Sequence, residues 1–277
     1  MDEMFDPKAL LKTMGRPPRQ KAPARPPGSS IDIEFNSSAP DTGPVLEARV
    51  DVTPRRPSGA VASITAGGPV TEELRRLRAR VRTLDTERGL RCLGVTSAIV
   101  GEGKTTIAVG LATVMAQEHG ARILLLEADL RRPAIEDSLG LPRLPGLAEW
   151  LDSGASTISL RRIMPAGFHL LPAGRASDGR HAEMLRSERM KGLLASARSA
   201  YDFVVVDCAP VMPVADTIIL QERIDGFLFV VRERVSPRET TLRAMERMQA
   251  ERVVGVVVND HRDFMHAHYK YGYDRYV

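Results

Sequence analysis

A glycine-rich stretch in the first half of the chain has the residue types that bind nucleotide phosphates. Residues 98–106 read AIVGEGKTT and meet the pattern [AG]-x4-G-K-[ST]. Glycines allow backbone N–H groups to turn inward around phosphate oxygens, while the lysine and the hydroxyl after it reach the terminal phosphates and Mg²⁺. The stretch predicts an ATP and Mg²⁺ site whose contacts are Gly101, Gly103, Lys104, Thr105 and Thr106, with Thr105 as a metal ligand.

Three acidic residues follow two apolar runs. Glu127 and Asp129 end the run RILLLEADL, and their spacing of two puts both side chains on one face of a strand. Asp207 ends the run FVVVD, which is typical of an aspartate that holds Mg²⁺. Two carboxylates beside a bound phosphate suit a metal ligand and a proton acceptor. On the residues alone, the pair 127 and 129 could equally be solvated acids after a strand.

The elements that would position these residues alternate along the chain. Six apolar runs without polar alternation predict buried parallel strands: RCLGVTSAI, RILLLEADL, FHLLPAG, DFVVVDCAP, GFLFVVRE and VVGVVVN. Helical patterns occupy 103–118, roughly 181–200, and 236–250. This alternation predicts an α/β fold with a doubly wound, mostly parallel sheet and a ligand site at the carboxyl ends of its strands.

An arginine-rich helix is predicted just before the first of these strands. In the sequence TEELRRLRARVRTLDTERG, Thr71 suits an N-cap and Gly89 a helix end. Apolar residues recur on one face, at Leu74, Leu77, Val81 and Leu84. The arginines between them form either a solvated face or a contact surface.

Composition divides the chain into three parts. Residues 1–68 are rich in proline and poor in large apolar residues, which predicts disorder, whereas 69–260 should fold as one domain and 261–277 form a tail. The net charge of +4 is too small to indicate nucleic acid as a partner. Cys92 and Cys208 do not form a disulfide framework, and neither a secretory signal nor an apolar membrane span is evident. These features predict a cytoplasmic protein.

Tyrosine is concentrated at the C-terminus. Four of the five tyrosines, Tyr269, Tyr271, Tyr273 and Tyr276, lie in the last nine residues. A cluster of phenols is either an adhesive segment that docks on a partner or a set of modification sites. The polar residues between them, such as Lys270 and Asp274, keep the tail accessible, which favours modification.

Residues 70–277 resemble the bacterial protein-tyrosine kinases of capsule and exopolysaccharide synthesis. The resemblance is carried by the phosphate loop, by Glu127, Asp129 and Arg131 as a second motif, by Asp207, by the stretches PVMPVAD and VVND, and by the tyrosine tail. The family usually has Asp where this chain has Glu127, and Ser or Thr where it has Cys208. The resemblance implies a P-loop NTPase fold of the MinD/ParA type and ATP-dependent autophosphorylation of the tail tyrosines.

The resemblance also implies roles for individual residues. Lys104, Glu127, Asp129 and Asp207 would be catalytic, with Glu127 as the proton acceptor and with Asp129 and Asp207 holding Mg²⁺. Asn259 of VVND would contact the nucleotide. An ExxRxxR motif, which in this chain is Glu72, Arg75 and Arg78, would join subunits into a ring.

The implied partners are copies of this chain, a membrane protein that regulates polysaccharide chain length and activates the kinase, and a tyrosine phosphatase. The kinase would be recruited to the inner face of the membrane. Two alternatives stay open: an ATPase of the MinD/ParA group, and a docking module that binds nucleotide without phosphoryl transfer. That group has a lysine five residues before the P-loop lysine, where this chain has Ile99, so the ATPase alternative is disfavoured.

Overall fold

The computed structural model describes residues 44–54, 57, 61, 62, 64, 68–176 and 179–260. Its strands are β1 Val45–Val52, β2 Cys92–Ser97, β3 Ile123–Glu127, β4 Thr157–Ile163, β5 Phe168–Leu171, β6 Phe203–Asp207, β7 Gly226–Arg232 and β8 Val253–Asn259. Its helices are α1 Pro69–Arg88, α2 Lys104–Ala116, α3 Ile135–Leu139, α4 Leu147–Asp152, α5 His181–Arg186, α6 Glu188–Ala200, α7 Asp216–Leu220 and α8 Arg238–Glu246, with a 3₁₀ turn at Ala250–Arg252.

In the described part of the chain, the strands form one sheet in the order β1-β4-β5-β3-β6-β2-β7-β8. Every neighbouring pair is parallel except β4 with β5. Strands β2, β3 and β6 are buried along their whole length, because apolar residues cover the sheet on both faces. The predicted mostly parallel α/β sheet is therefore confirmed.

Helices α1 and α2 lie together on one face of the sheet. Leu74 and Val81 of α1 are buried there. The central residues of α2 are also buried, because the sheet covers one side of the helix and α1 covers another. Gly110 of α2 permits this contact, since a Cβ at that position would meet the Leu74 side chain. The first turn of α2 is thereby held rigidly at the carboxyl end of β2.

Three sequence predictions need correction. The disorder predicted up to residue 68 missed β1, an edge strand that pairs with β4; β4 was not predicted either. Helix α1 begins at Pro69 after Gly68, and Thr71 lies inside its first turn with its hydroxyl donating to the Ile64 carbonyl at 3.2 Å. The helix predicted over 181–200 is interrupted at Ser187, whose hydroxyl accepts from the Met190 amide and starts α6 anew.

The end of α1 agrees with its prediction. Gly89 ends the helix in the left-handed conformation, as its sequence position predicted.

Within the described residues no helix is both long and apolar enough to span a membrane. The predictions for the tail 261–277 and for most of 1–68 concern residues outside those described.

Candidate active site

The phosphate loop connects the carboxyl end of β2 to the first residue of α2. Gly101 and Gly103 have φ angles of 87° and 93°, which belong to the left-handed region that glycine enters at little cost. Lys104 and Thr105 are the first two residues of α2. The positive end of that helix therefore faces the same space as the lysine side chain, as a phosphate site requires.

Two carboxylates balance the positive charge of Lys104. Its Nζ lies 2.9 Å from Oδ2 of Asp129 and 3.8 Å from Oδ1 of Asp207. Burial by itself lowers the pKa of Lys104, but attraction to Asp207 and Asp129 outweighs it and the pKa is raised. The lysine thus stays cationic, in contact with two groups that are also suitable metal ligands.

Asp207 contacts the first turn of the helix that follows the loop. The Thr105 hydroxyl donates to Oδ2 of Asp207 at 2.7 Å. Oδ1 of Asp207 is buried and lacks a hydrogen-bond partner among the described residues. Burial raises the pKa of Asp207 to about 6, against the opposing effect of Lys104 and the Thr105 hydrogen bond. A buried carboxylate oxygen that still needs a partner fits a Mg²⁺ ion or its bound water.

Glu127 and Asp129 do not share the contacts that their spacing suggested. Oε1 of Glu127 accepts from the amides of Ala134 and Ile135 at 2.6 and 2.7 Å, and Oε2 accepts from the Ala173 amide at 3.0 Å. Asp129 instead contacts Lys104. The Glu127 carboxylate therefore joins the chain after β3 to the chain after β5, a structural contact that the sequence did not predict.

The pKa of Glu127 is raised to about 7. Burial is the main cause, since the residue is fully buried, and the three amide donors oppose it only in part. A carboxyl group that titrates near neutral pH has a pKa suited to exchanging protons. The geometry therefore gives Glu127 a structural contact, and the pKa leaves a proton-accepting role open to test.

A bidentate ion pair connects Arg131 and Asp216. Nε and Nη2 of Arg131 donate to the two oxygens of Asp216 at 2.8 and 3.2 Å, and Asp216 is almost fully buried. Arg131 follows β3 and Asp216 begins α7 after β6, so the pair connects the loop that carries Asp129 to the segment that follows Asp207. The sequence contained Asp216 in PVMPVAD, but that pattern alone did not reveal its partner.

Asn259 lies behind the phosphate loop. Its side-chain amide donates to the Glu102 carbonyl at 2.9 Å, and a Cβ on Gly103 would overlap that amide. Three more residues form contacts that hold the loop, and sequence reasoning missed them: Arg232, Ser236 and, within the loop itself, Glu102. Glu102 could have been noticed as an acid inside the phosphate loop, where its own charge opposes the phosphates.

Comparison with known proteins adds the family. The model of the CobQ/CobB/MinD/ParA nucleotide binding domain matches residues 93–276. The tyrosine-protein kinase YwqD of Bacillus subtilis is 31% identical over 204 residues, which cover 73% of this chain and 85% of that protein. The chain belongs to the bacterial tyrosine kinases. The resemblance inferred from the motifs is thus confirmed, together with the MinD/ParA-like fold and the tyrosine kinase class.

Other members of this kinase family are larger or known as separate domains. The succinoglycan biosynthesis transport protein ExoP of Rhizobium meliloti is 36% identical over 61% of this chain, and the matched region spans only 22% of ExoP. The solved kinase domain of the Escherichia coli tyrosine kinase ETK has a TM-score of 0.66 and 25% identity, over 74% of this chain and 82% of that domain. The kinase therefore corresponds to a catalytic domain that several relatives carry within a longer chain.

The kinase's ExxRxxR residues already have contacts within the subunit. Arg75 forms an ion pair with Glu72 at 2.5 Å, and both side chains remain close to half exposed. Arg78 donates to the Val114 carbonyl at 2.6 Å and lies 3.4 Å from Glu118. Arg78 therefore ties α1 to the end of α2, while Glu72 and Arg75 stay accessible to a neighbour.

Cys208 has a different environment from a reactive thiol. It is fully buried, and burial raises its pKa well above the ordinary value. The thiol stays protonated beside Asp207 and packs as a small apolar group.

Proposed function

We propose that this kinase transfers the γ-phosphoryl group of MgATP to tyrosines of its own tail, Tyr269, Tyr271, Tyr273 and Tyr276. The observation that carries the proposal is the convergence of Lys104, Thr105, Asp129 and Asp207 at one end of the sheet, beside the phosphate loop. Phosphoryl transfer depends mainly on positioning and on neutralising negative charge; Lys104 supplies one positive charge, and the hydroxyl and the two carboxylates supply ligands for a metal ion that would supply more.

The residues would divide the work as follows. The loop amides and Lys104 bind the phosphates, and Lys104 exchanges its contacts with the carboxylates for contacts with phosphate oxygens. Thr105, Asp129 and Asp207 are the oxygen ligands that would hold Mg²⁺ directly or through water. The ion supplies further neutralisation of the phosphate charge when it is bound.

The phenol needs alignment more than it needs a strong base. A free tyrosine has a pKa near 10, and the proton leaves as the bond to phosphorus forms, so a nearby carboxylate is a sufficient acceptor. We propose Glu127 for this step, in line with its pKa of about 7. Its three amide contacts also support a second role, in which it orders the loops after β3 and β5.

The root of the tail supports its role as the substrate. Strand β8 ends at Asn259, whose side chain touches the phosphate loop, so the tail starts beside the nucleotide site. Tyr269 follows Asp260 by nine residues, and that length can reach about 30 Å when extended. Tyr201, in contrast, is buried and its hydroxyl is hydrogen bonded to His169 at 2.6 Å, so it is not a substrate.

We further propose that the reaction occurs between subunits of a ring, through Glu72 and Arg75. Four phosphates would add roughly −6 to −8 charge to each tail, and their repulsion would loosen the ring until a phosphatase removes them. A membrane protein that controls polysaccharide chain length is the proposed activator, and it would recruit the kinase from the cytoplasm to the inner face of the membrane. The named role of ExoP in succinoglycan transport supports a place in exopolysaccharide synthesis.

The transfer is tested with MgATP and phosphosite mapping by mass spectrometry. We expect phosphotyrosine at positions 269–276 and none at Tyr201, and we expect Lys104→Met to abolish it. Lys191→Met is the matched control, because Lys191 is exposed and forms an ion pair with Glu188 on the same helix. Steady ATP hydrolysis with an unmodified tail would reject the kinase reaction in favour of an ATPase.

A mixing experiment separates transfer within a subunit from transfer between subunits. One protein carries Lys104→Met and an intact tail, and the other has an intact site with its four tail tyrosines changed to Phe. Phosphate on the Lys104→Met protein would establish transfer between subunits. An unmodified tail in this mixture would show that each subunit modifies only itself.

A further inference from the structure

The phosphate loop is held from behind by side chains of two neighbouring strand ends. Nη1 of Arg232, at the end of β7, donates to the Gly101 carbonyl at 3.2 Å. The side-chain amide of Asn259, at the end of β8, donates to the Glu102 carbonyl at 2.9 Å. Strands β7 and β8 are the next strands beyond β2 in the sheet, so their ends lie next to the loop.

The two carbonyl contacts fix the direction of the backbone N–H groups that follow them. In a planar trans peptide the C=O and the following N–H point in opposite directions. Donors that hold the carbonyls of Gly101 and Glu102 outward therefore direct the N–H groups of Glu102 and Gly103 toward the opposite side. Those N–H groups belong to the part of the loop that cradles phosphate oxygens.

A buried acid closes the loop on itself. Glu102 is fully buried, and its Oε2 accepts from the Ile99 amide at 2.8 Å. Its Oε1 accepts from the Ser236 hydroxyl, and that hydroxyl accepts in turn from the Arg232 amide at 2.8 Å. The carboxylate is thereby kept away from the phosphate side, where its charge would weaken nucleotide binding.

The guanidinium of Arg232 is itself oriented. Its Nε and Nη2 donate to Oδ2 of Asp260 at 3.1 and 2.9 Å, while Nη1 contacts Gly101. Gly103 completes the arrangement, since any side chain there would displace Asn259. These contacts come from three parts of the chain and converge on three consecutive loop residues, Gly101, Glu102 and Gly103.

We propose that Arg232, Asn259 and Glu102 are positioning residues that act together as a clamp on the phosphate loop and set its affinity for a nucleoside diphosphate. The clamp acts through the direction of backbone amides, and its residues contact the loop rather than the reacting atoms. This inference rests on the ATP site of the proposed function and adds the residues that shape it. Ser236 supports the clamp by fixing the Glu102 carboxylate.

The clamp is tested by the affinity of the full-length protein for MgADP, measured by calorimetry, alongside KM and kcat for ATP. Arg232→Ala and Asn259→Leu each remove one donor, and we expect each to raise the Kd for MgADP and the KM for ATP about 10-fold or more. The kcat should change by less than about 3-fold, because phosphate contacts made equally in ground and transition state affect binding alone. Arg234→Ala is the matched control, since Arg234 is a neighbouring exposed arginine that lies 3.9 Å from Glu233.

Conservative variants separate positioning from folding. Glu102→Gln keeps an acceptor for the Ile99 amide and can donate to Ser236, so we expect it to bind MgADP nearly as the native protein does, whereas Glu102→Leu should bind about 10-fold more weakly. Arg232→Lys retains one donor and should restore part of the affinity lost in Arg232→Ala. A variant whose melting temperature without nucleotide falls sharply is replaced by these milder changes, which test the same contact.

An unchanged Kd in folded Arg232→Ala and Asn259→Leu, equal to that of Arg234→Ala, would overturn the clamp. This outcome differs from failure of the proposed function, because MgADP binding does not require phosphoryl transfer. Conversely, a native protein that binds MgADP but leaves its tail unmodified would reject the transfer and leave the clamp standing.

Discussion

Glu127 and Asp207 are direct neighbours on adjacent parallel strands, yet their carboxylates have different tasks. The two residues are register partners of β3 and β6. Glu127 binds three backbone amides, while Asp207 accepts from the Thr105 hydroxyl. Burial raises the pKa of both groups, and the nearby charge of Asp207 contributes to the shift at Glu127. One carboxylate therefore supports the loops, and the other contacts the residue that follows Lys104 at the start of α2.

The first prediction concerns the stability of the protein against pH. The pKa of Glu127 is about 7 in the folded protein, whereas an ordinary solvated glutamate has a pKa of 4.5, so the folded state binds more protons between these values. The contribution of Glu127 to the free energy of unfolding is therefore largest below pH 4.5 and falls by about 3 kcal/mol as the pH rises through 7. Denaturant unfolding measures the free energy of unfolding of the native protein and of Glu127→Gln at each pH. The difference between the two proteins should shrink as the pH rises over this range. A difference that does not change with pH would contradict the raised pKa of Glu127.

The second prediction concerns the Thr105 hydroxyl. Thr105→Val removes the hydrogen bond to Asp207 and the proposed metal ligand while keeping the shape of the side chain. We expect the rate of tail phosphorylation to fall about 10-fold or more and the Mg²⁺ concentration for half-maximal rate to rise. Thr105→Ser keeps the hydroxyl and should stay within about 3-fold of the native rate. Equal rates for the Val and Ser variants would remove Thr105 from the metal site.

The third prediction separates the two arginines of the ExxRxxR motif. Arg78→Ala removes a donor to the Val114 carbonyl and should lower the free energy of unfolding by about 1–2 kcal/mol. Arg75 is close to half exposed and pairs with Glu72 on the same helix, so Arg75→Ala should change the free energy of unfolding by less than about 0.5 kcal/mol. Chemical denaturation measures both changes.

The same two variants test assembly. If Arg75 contacts a neighbouring subunit, Arg75→Ala should reduce the sedimentation size while the subunit keeps its stability. A ring that is unchanged in Arg75→Ala and lost only in the destabilised Arg78→Ala would argue against a direct interface at this motif.

The fourth prediction concerns Arg131 and Asp216. Asp216 is nearly fully buried and both its oxygens accept from Arg131, so Arg131→Ala leaves a buried carboxylate without its partner. We expect a loss of about 3 kcal/mol in the free energy of unfolding. A double-mutant cycle with Asp216→Ala should give a coupling of about 1–3 kcal/mol, and additive losses would show that the pair is energetically independent.

Local patterns were sufficient for the nucleotide-binding half of the site. The phosphate loop is contiguous, and its glycines, lysine and threonine are adjacent in sequence, so a short pattern identified them. The strands before Asp129 and Asp207 are runs of buried apolar residues, and parallel strands bring their carboxyl ends to one edge of the sheet. This is why the positions of Asp129 and Asp207 near the phosphate loop could be anticipated from separate segments, whereas their ion pairs with Lys104 were not predicted.

Contacts that depend on distant segments could not be anticipated in this way. The Arg232 contact to Gly101 and the Asn259 contact to Glu102 join residues more than 130 positions apart. Strand β1, with the sequence VLEARVDV, does alternate apolar and polar residues, but the proline-rich composition of the segment around it predicted disorder instead. The spacing of Glu127 and Asp129 predicted that both side chains point to the same site, but the Glu127 carboxylate instead accepts hydrogen bonds from three nearby backbone amides.

The sequence by itself determined the fold class, the phosphate loop and the family of this protein, because each depends on residues that are near one another in the chain or on the periodicity of apolar residues. Only the tertiary structure decided which side chains bind the carbonyl groups of the phosphate loop, that Arg78 makes its contacts within its own subunit, and that Glu127 supports two loops. Those outcomes follow from which donors and acceptors the packed sheet brings within about 3 Å of each other, a quantity that depends on the whole fold.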